Sequence, residues 1–196
     1  MSRWFINLQF KLKSRHFWLT SLRDIILIGV ILFAIASYLQ RDMKTGVATP
    51  INAHSITQKP ISLFTSTATG AQQHAKWQTN SHKPTLVYFW GTWCPVCSVT
   101  SPMVDSVNLK QDYHVVSIAV ASGTDADINT FMQQHHYHFD VINQQNQPQT
   151  ISLSQQWGAM ALPAIYIVDT ENNIRFVTSG ITSSWGMSLR LWFATW

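Results

Sequence analysis

The pattern of apolar and polar positions divides the chain into an apolar block, a patternless polar stretch and a long run of short alternating elements. The block is Ile25 to Leu39, nearly unbroken, with Leu19 to Leu22 and then Arg23 and Asp24 ahead of it. Gln40 to about Lys59 mixes Thr, Asn, Gln, Pro and Gly without a period and reads as a linker. Ile61 to Thr65 predicts a short first strand, and Gln72 to Lys83, polar around Trp77, a short helix or loop. Thr85 to Trp90 is β-branched and aromatic, the composition of a buried strand. Cys97, Val99, Met103, Val104 and Val107 then follow at helical spacing, so a helix is expected over about 94–110.

Further on, Tyr113 to Val120 predicts a second buried strand. Asp125 to His136 predicts a helix with Ile128, Phe131 and Met132 on one face and Asp125 or Asp127 near its N-cap. Phe139 to Ile142 reads as a short edge strand, and Ile151 to Trp157 as a short helix closed by Gly158. Ala164 to Val168 and Ile174 to Thr178 form a hairpin across Glu171-Asn172-Asn173. Ser184 to Phe193 is a final helix that offers Leu189, Leu191, Trp192 and Phe193 for packing. Strands alternating with helices, then a hairpin, imply an α/β sandwich with a mixed sheet.

Charge changes the reading of the apolar block. The net charge is +4, but Arg3, Lys11, Lys13, Arg15 and Arg23 all precede the block, so the excess is a topology signal rather than a nucleic-acid footprint. Fifteen helical residues reach only about 22 Å, short of the ~30 Å hydrocarbon core. Adding residues from Leu19, with Arg23 snorkelling beside Asp24, closes the gap. Trp18 and Tyr38 suit the two interfaces, and the cation bias places the N-terminus in the cytoplasm. The expected layout is a cytoplasmic tail (1–18), a transmembrane anchor (19–40), a linker (41–59) and a folded domain (60–196). A cleaved signal peptide ending near Ala34-Ile35-Ala36 is the competing reading.

The chemistry sits at Trp90-Gly91-Thr92-Trp93-Cys94-Pro95-Val96-Cys97, which holds the chain's only two cysteines. The expected strand and helix place the pair on a strand-to-helix turn, with Pro95 in the first helical turn where a missing N–H costs nothing. Cys94 then lies where free backbone N–H groups and the positive helix end converge, a site that favours a thiolate. A disulfide closing so short a loop removes little chain entropy, and no second CxxC or CxxH completes a zinc site. Thiol–disulfide exchange is the expected chemistry, with Cys94 as nucleophile and Cys97 as resolving thiol. Of the two flanking tryptophans, Trp90 is expected in the core and Trp93 exposed as part of an apolar docking surface.

Phe-Trp-Gly-Thr-Trp-Cys-Pro-Val-Cys resembles the active site of the thioredoxin superfamily. Pro102, five residues after Cys97, matches the proline that kinks the family's active-site helix. Leu162-Pro163 before Ala-Ile-Tyr-Ile-Val-Asp matches its cis-proline, which faces the cysteines. Within the superfamily the chain is most similar to the membrane-anchored TlpA/ResA/DsbE-like group, and nearest to the suppressor-of-copper-sensitivity D proteins. The resemblance implies a thioredoxin-like α/β fold with a mixed central sheet and a helix–strand insert over Asp125 to Ile142, behind one transmembrane helix. It implies no cofactor beyond a redox-active Cys94–Cys97 disulfide, and Leu162 and Pro163 as site-shaping residues beside Trp93 and Pro95. Expected partners are exported proteins bearing thiols or disulfides and a DsbD-like membrane electron donor, the domain being a tethered monomer in the bacterial periplasm. Reduction is the expected direction, because Val96 adds no polar group to hold the Cys94 thiolate. A thiol oxidase with the same site and a Cu(I) carrier are the alternatives. Thioredoxin has a buried aspartate where this chain has Tyr88, a poor base at neutral pH. His135, His136 and His138 read as a solvated helix end, since adjacent helical residues point ~100° apart.

Overall fold

The computed structural model describes residues 21–31, 43–63, 83–147 and 150–196. It forms two compact units, Met1–Arg41 and Asp42–Trp196. In the first, residues 21–31 are helical, and Leu22, Ile25, Ile26, Leu27, Ile28, Val30 and Ile31 are all exposed. Arg23 pairs with its neighbour Asp24 at 2.9 Å. Among the described residues no helix is long and apolar enough to cross a membrane. The tail and much of the span expected over 19–40 lie outside the described residues, as does nearly all of Gln72 to Lys83.

The second unit is built on strand β4 (Thr85–Trp90), whose six residues are all buried. Alternation along the strand sends Leu86, Tyr88 and Trp90 into one core cluster and Val87 and Phe89 into the other. A strand buried on both faces is dominated by apolar side chains, here Leu86 to Trp90 after Thr85, which is why it reads as a continuous run. It pairs in parallel with β5 (His114–Ala119) and antiparallel with β7 (Ala164–Val168). Strand β6 (Asp140–Asn143) extends the β5 side in parallel, while β8 (Asn173–Ser179) pairs antiparallel with β7. A two-residue β1 (Gly46–Val47) closes the sheet against β8, giving the order β1-β8-β7-β4-β5-β6.

Among the described residues four α-helices accompany the strands: α1 (Pro95–Asn108), α2 (Asp125–His135), α3 (Leu153–Trp157) and α4 (Ser184–Phe193). Val104 and Val107 of α1 share a cluster with Ile128 and Met132 of α2 and with Met187 and Leu191 of α4, on the face that receives Leu86, Tyr88 and Trp90. Leu153 and Trp157 of α3 pack on the opposite face with Phe89 and Tyr166. The mixed sheet flanked by helices is a thioredoxin-like α/β architecture.

Two expectations are corrected. The stretch read as a linker belongs to the folded unit, which begins at Asp42 and places β1 and β2 (Ile51–His54) before Lys59. Strand β2 pairs with β3 (Pro60–Leu63), burying Ile51 and Ala53 while Asn52 and His54 face outward. Two apolar positions are too few to register as a period, and the partner strand supplies the rest. Helix α2 opens with Asp125 and Asp127 in its first turn, as expected, behind the cap Thr124: Thr124 Oγ1 accepts from Asp127 N at 3.2 Å, and Asp127 Oδ2 accepts from Thr124 N at 2.8 Å. On α4, Leu191 packs inward with Met187, whereas Leu189, Trp192 and Phe193 face outward.

Candidate active site

Strand β4 delivers the chain from the sheet centre to the turn that opens α1. Cys94 is the N-cap, extended at φ −93° and ψ 109°, and Pro95 begins the helix. Cys94 and Cys97 are joined by a disulfide across a Cα–Cα distance of 5.2 Å. The Cys94 sulfur takes the place of a capping oxygen, accepting from the Cys97 backbone N–H at 3.2 Å. Its carbonyl accepts from Cys97 N at 3.1 Å and Ser98 N at 3.2 Å. Both cysteines are buried, with Cys94 6% and Cys97 1% exposed, so the edge that an incoming sulfur meets belongs to Cys94. No acidic residue lies in the first turn of α1 to oppose a negative sulfur.

The loop ahead of the pair is pinned to the segment after β5. Trp90 O accepts from Val120 N at 2.8 Å, and Thr92 N donates to Ser122 Oγ at 3.1 Å. Trp93 is 59% exposed, yet its indole N–H donates to Val120 O at 3.1 Å. Gly91 makes this possible: a Cβ there would lie 2.7 Å from Trp93 Nε1 and 3.2 Å from Val120 O. Trp90, in contrast, is fully buried and donates to Ser117 Oγ at 3.1 Å.

Beneath the pair, Tyr88 shares a 2.9 Å hydrogen bond with Ser101 Oγ, and its hydroxyl lies 3.5 Å from Cys97 O. Burial, partly offset by the Ser101 hydrogen bond, pushes this phenol well above its ordinary value. Tyr88 is therefore a neutral hydrogen-bonding group at physiological pH, not a proton acceptor. Pro102 lies inside α1, one turn beyond Ser98.

The Leu162–Pro163 peptide is cis. Pro163 is buried, and its carbonyl accepts from Gly180 N at 3.0 Å. Leu162 is half-buried and packs against the cluster containing both cysteines. The three histidines separate. His138 reaches the buried Asp105 of α1 through its backbone N at 2.7 Å and its ring Nδ1 at 3.0 Å. His135 packs at a tilt against Phe131 and stacks on Tyr137, and His136 forms the left-handed C-terminal cap of α2. Among the described residues no three His, Cys, Asp or Glu side chains group as metal ligands.

Cys94, Cys97, Trp93 and Pro95 thus share one turn, with Leu162 packed against the same cluster. Ser101, Val120 and Ser122, and the part Gly91 plays in seating the Trp93 ring, were not legible in the sequence. Only Gly91 left a signal, a residue without a side chain between two tryptophans.

The profile of the Redoxin family matches residues 55–184. The chain belongs to that family. The redoxin is also 39% identical over 115 residues to a "Thioredoxin-like protein" of Haemophilus influenzae, an alignment covering 59% of this chain and 65% of that one. The redoxin fold resembles solved structures at low identity. A thiol:disulfide interchange protein of the thioredoxin family from Chlorobium tepidum superposes with TM-score 0.58 at 19% identity, over 78% of this chain and 98% of that chain. StoA from Bacillus subtilis gives TM-score 0.56 at 15% identity over 75% and 98%. A secreted Mycobacterium tuberculosis disulfide oxidoreductase gives 0.56 at 17% over 73% and 95%.

Proposed function

We propose that this redoxin is a thiol–disulfide oxidoreductase acting on exported proteins, with Cys94 as nucleophile and Cys97 as resolving thiol. The observation that carries the reading is the Cys94 sulfur at the N-cap of α1, bridged to Cys97 and receiving the Cys97 N–H at 3.2 Å. The same N–H and the helix dipole favour the thiolate once the bridge opens, the dipole contributing up to ~2 kcal/mol.

In the reductive direction the Cys94 thiolate attacks one sulfur of a substrate disulfide, forming a mixed disulfide and releasing the other sulfur as a thiolate. The Cys97 thiolate then attacks Cys94 Sγ, closing the Cys94–Cys97 bridge and releasing the second substrate thiol. Two electrons pass to the substrate, and a membrane dithiol donor of DsbD type returns two to the redoxin. Neither backbone group of Leu162 has a hydrogen-bond partner among the described residues, which leaves both for an extended substrate segment. Trp93, exposed beside Cys94, adds apolar contact area, and Pro95 and Pro163 shape the opening.

Reduction is favoured because, among the described residues, the dipole and the Cys97 N–H are the groups that act on the Cys94 sulfur, Val96 being apolar. From Ile25 to Ile31 the helix carries no polar side chain on any face, which supports an inner-membrane anchor with the redoxin unit in the periplasm. Acid quenching of cells followed by alkylation reads the direction. A largely dithiol pool that becomes disulfide when the donor is removed is expected. A disulfide pool with the donor present would make the protein an oxidase.

A further inference from the structure

Ser122 stands outside the turn that carries the cysteines, yet its hydroxyl ties that turn to the sheet. It is buried, accepts from Thr92 N at 3.1 Å and donates to Val120 O at 3.0 Å. The second lone pair of Val120 O takes the indole N–H of Trp93 at 3.1 Å. Ala121, between Val120 and Ser122, is left-handed at φ 48°, a region that a residue with a Cβ enters only at a cost. The turn there returns the Ser122 hydroxyl to the carbonyl two residues earlier. Neither the connection to α2 nor packing accounts for it. Gly123, at φ 89°, supplies the bend that α2 needs, since a Cβ there would meet the capping oxygen Asp127 Oδ2 at 2.8 Å. Ala121 is exposed, so no side-chain burial holds it left-handed. Trp93 is exposed as well and belongs to neither core cluster. What the strained loop secures is the direction of an exposed ring beside Cys94.

We propose that Ser122 is a positioning residue for exchange with protein substrates. Through Val120 O it fixes the Trp93 ring as the surface on which the polypeptide around the substrate disulfide rests. The inference rests on the oxidoreductase reading above. Without the hydroxyl, Thr92 N loses its acceptor, Val120 O loses a donor, and nothing offsets the cost of the left-handed turn. Val120 O then moves and the indole is released. A small disulfide, which reaches Cys94 without resting on the ring, does not sense the change.

Single-turnover oxidation of the pre-reduced full chain by insulin and by hydroxyethyl disulfide tests the proposal. In Ser122→Ala the half-saturating insulin concentration should rise about five- to tenfold, the worth of a single hydrogen bond, at an unchanged limiting rate. The rate with hydroxyethyl disulfide and the pH profile of Cys94 alkylation should match wild type. The indole N–H resonance of Trp93, assigned by its loss in Trp93→Phe, should move. Ala121→Val keeps the Ser122 hydroxyl but disfavours the left-handed turn, so it should reproduce the insulin effect, whereas Ala121→Gly should not. In a Trp93→Ala background, Ser122→Ala should add nothing. An additive loss in that background, equal slowing of both disulfides or an unmoved indole resonance overturns the proposal. So does wild-type behaviour of Ser122→Ala toward insulin. A wild-type chain with no Cys94-dependent exchange would instead remove the oxidoreductase reading, and this inference with it.

Discussion

Tyr88 Oη lies 2.9 Å from Ser101 Oγ, directly beneath the helix that carries the cysteines. Tyr88→Phe deletes the hydroxyl and leaves a buried serine, but Ser101 can turn to the carbonyl one helical turn back. The expected cost is therefore about 1 kcal/mol, near the low end for an orphaned buried group. Tyr88→Phe with Ser101→Ala should recover part of it in urea unfolding. Because the phenol stays neutral, the pH profile of disulfide exchange should be the same in Tyr88→Phe as in wild type. A shifted profile would place Tyr88 on the proton path.

Gly91→Ala tests the placement of Trp93. The new Cβ would fall 2.7 Å from the indole nitrogen, and the side chain is exposed enough to swing away. That movement breaks the hydrogen bond to Val120 O. We expect unfolding stability to fall by about 1–2 kcal/mol and Trp93 fluorescence to shift toward the red. Trp93→Ala should slow exchange with protein substrates more than with a small disulfide. Equal slowing of both would mean that Trp93 shapes the cysteines rather than docking the substrate.

The turn was legible because its local rules agree. A strand built from β-branched and aromatic residues, a proline at the first helical position and a cysteine at the cap all point to one geometry, and β4 and α1 appear where the pattern places them. The hairpin of β7 and β8 and the cap at Gly158 were equally local. Strands β1 and β2 were not, because each is defined by a partner elsewhere: Gly46 opposite Ile174, and Ile51 opposite Leu63. The roles of Ser101, Val120 and Ser122 were hidden for the same reason. A serine hydroxyl or a backbone carbonyl carries no pattern until the fold brings its partner to it.

Alkaline conditions should destabilise the fold through its buried phenols. Tyr88 and Tyr166 are both fully buried, and Tyr166 Oη donates to Trp157 O at 2.6 Å. Burial raises both above the ordinary tyrosine value near 10. The neutral form is thus favoured in the folded state. Its contribution is fully present below about pH 10 and is lost as pH rises toward the raised folded value, because the unfolded chain ionises first. Over that window each phenol should lower stability by about 1.4 kcal/mol per pH unit. Urea unfolding between pH 9 and 11 checks this, and Tyr166→Phe should show a shallower decline. Parallel declines in variant and wild type would assign the effect to other groups.

The two cysteines should fail in different ways. Cys94 holds the more accessible edge of the bridge and receives the Cys97 N–H, and in the proposed mechanism its thiolate is the one that a substrate disulfide meets. Cys94→Ser removes the nucleophile, and disulfide exchange should fall to the uncatalysed rate. Cys97→Ser keeps the nucleophile but removes the thiolate that resolves the intermediate. That variant should accumulate mixed disulfides with its substrates, visible as bands on a non-reducing gel that collapse on reduction, and mass spectrometry of those bands would name the substrates. Differential alkylation of the reduced protein near pH 6 orders the two thiols: Cys94 should label first, because the helix N-terminus favours its thiolate while Cys97 is shielded at 1% exposure. If Cys97 labels first, or if Cys94→Ser rather than Cys97→Ser traps substrates, the roles are reversed and the attack must come from the helix side of the bridge.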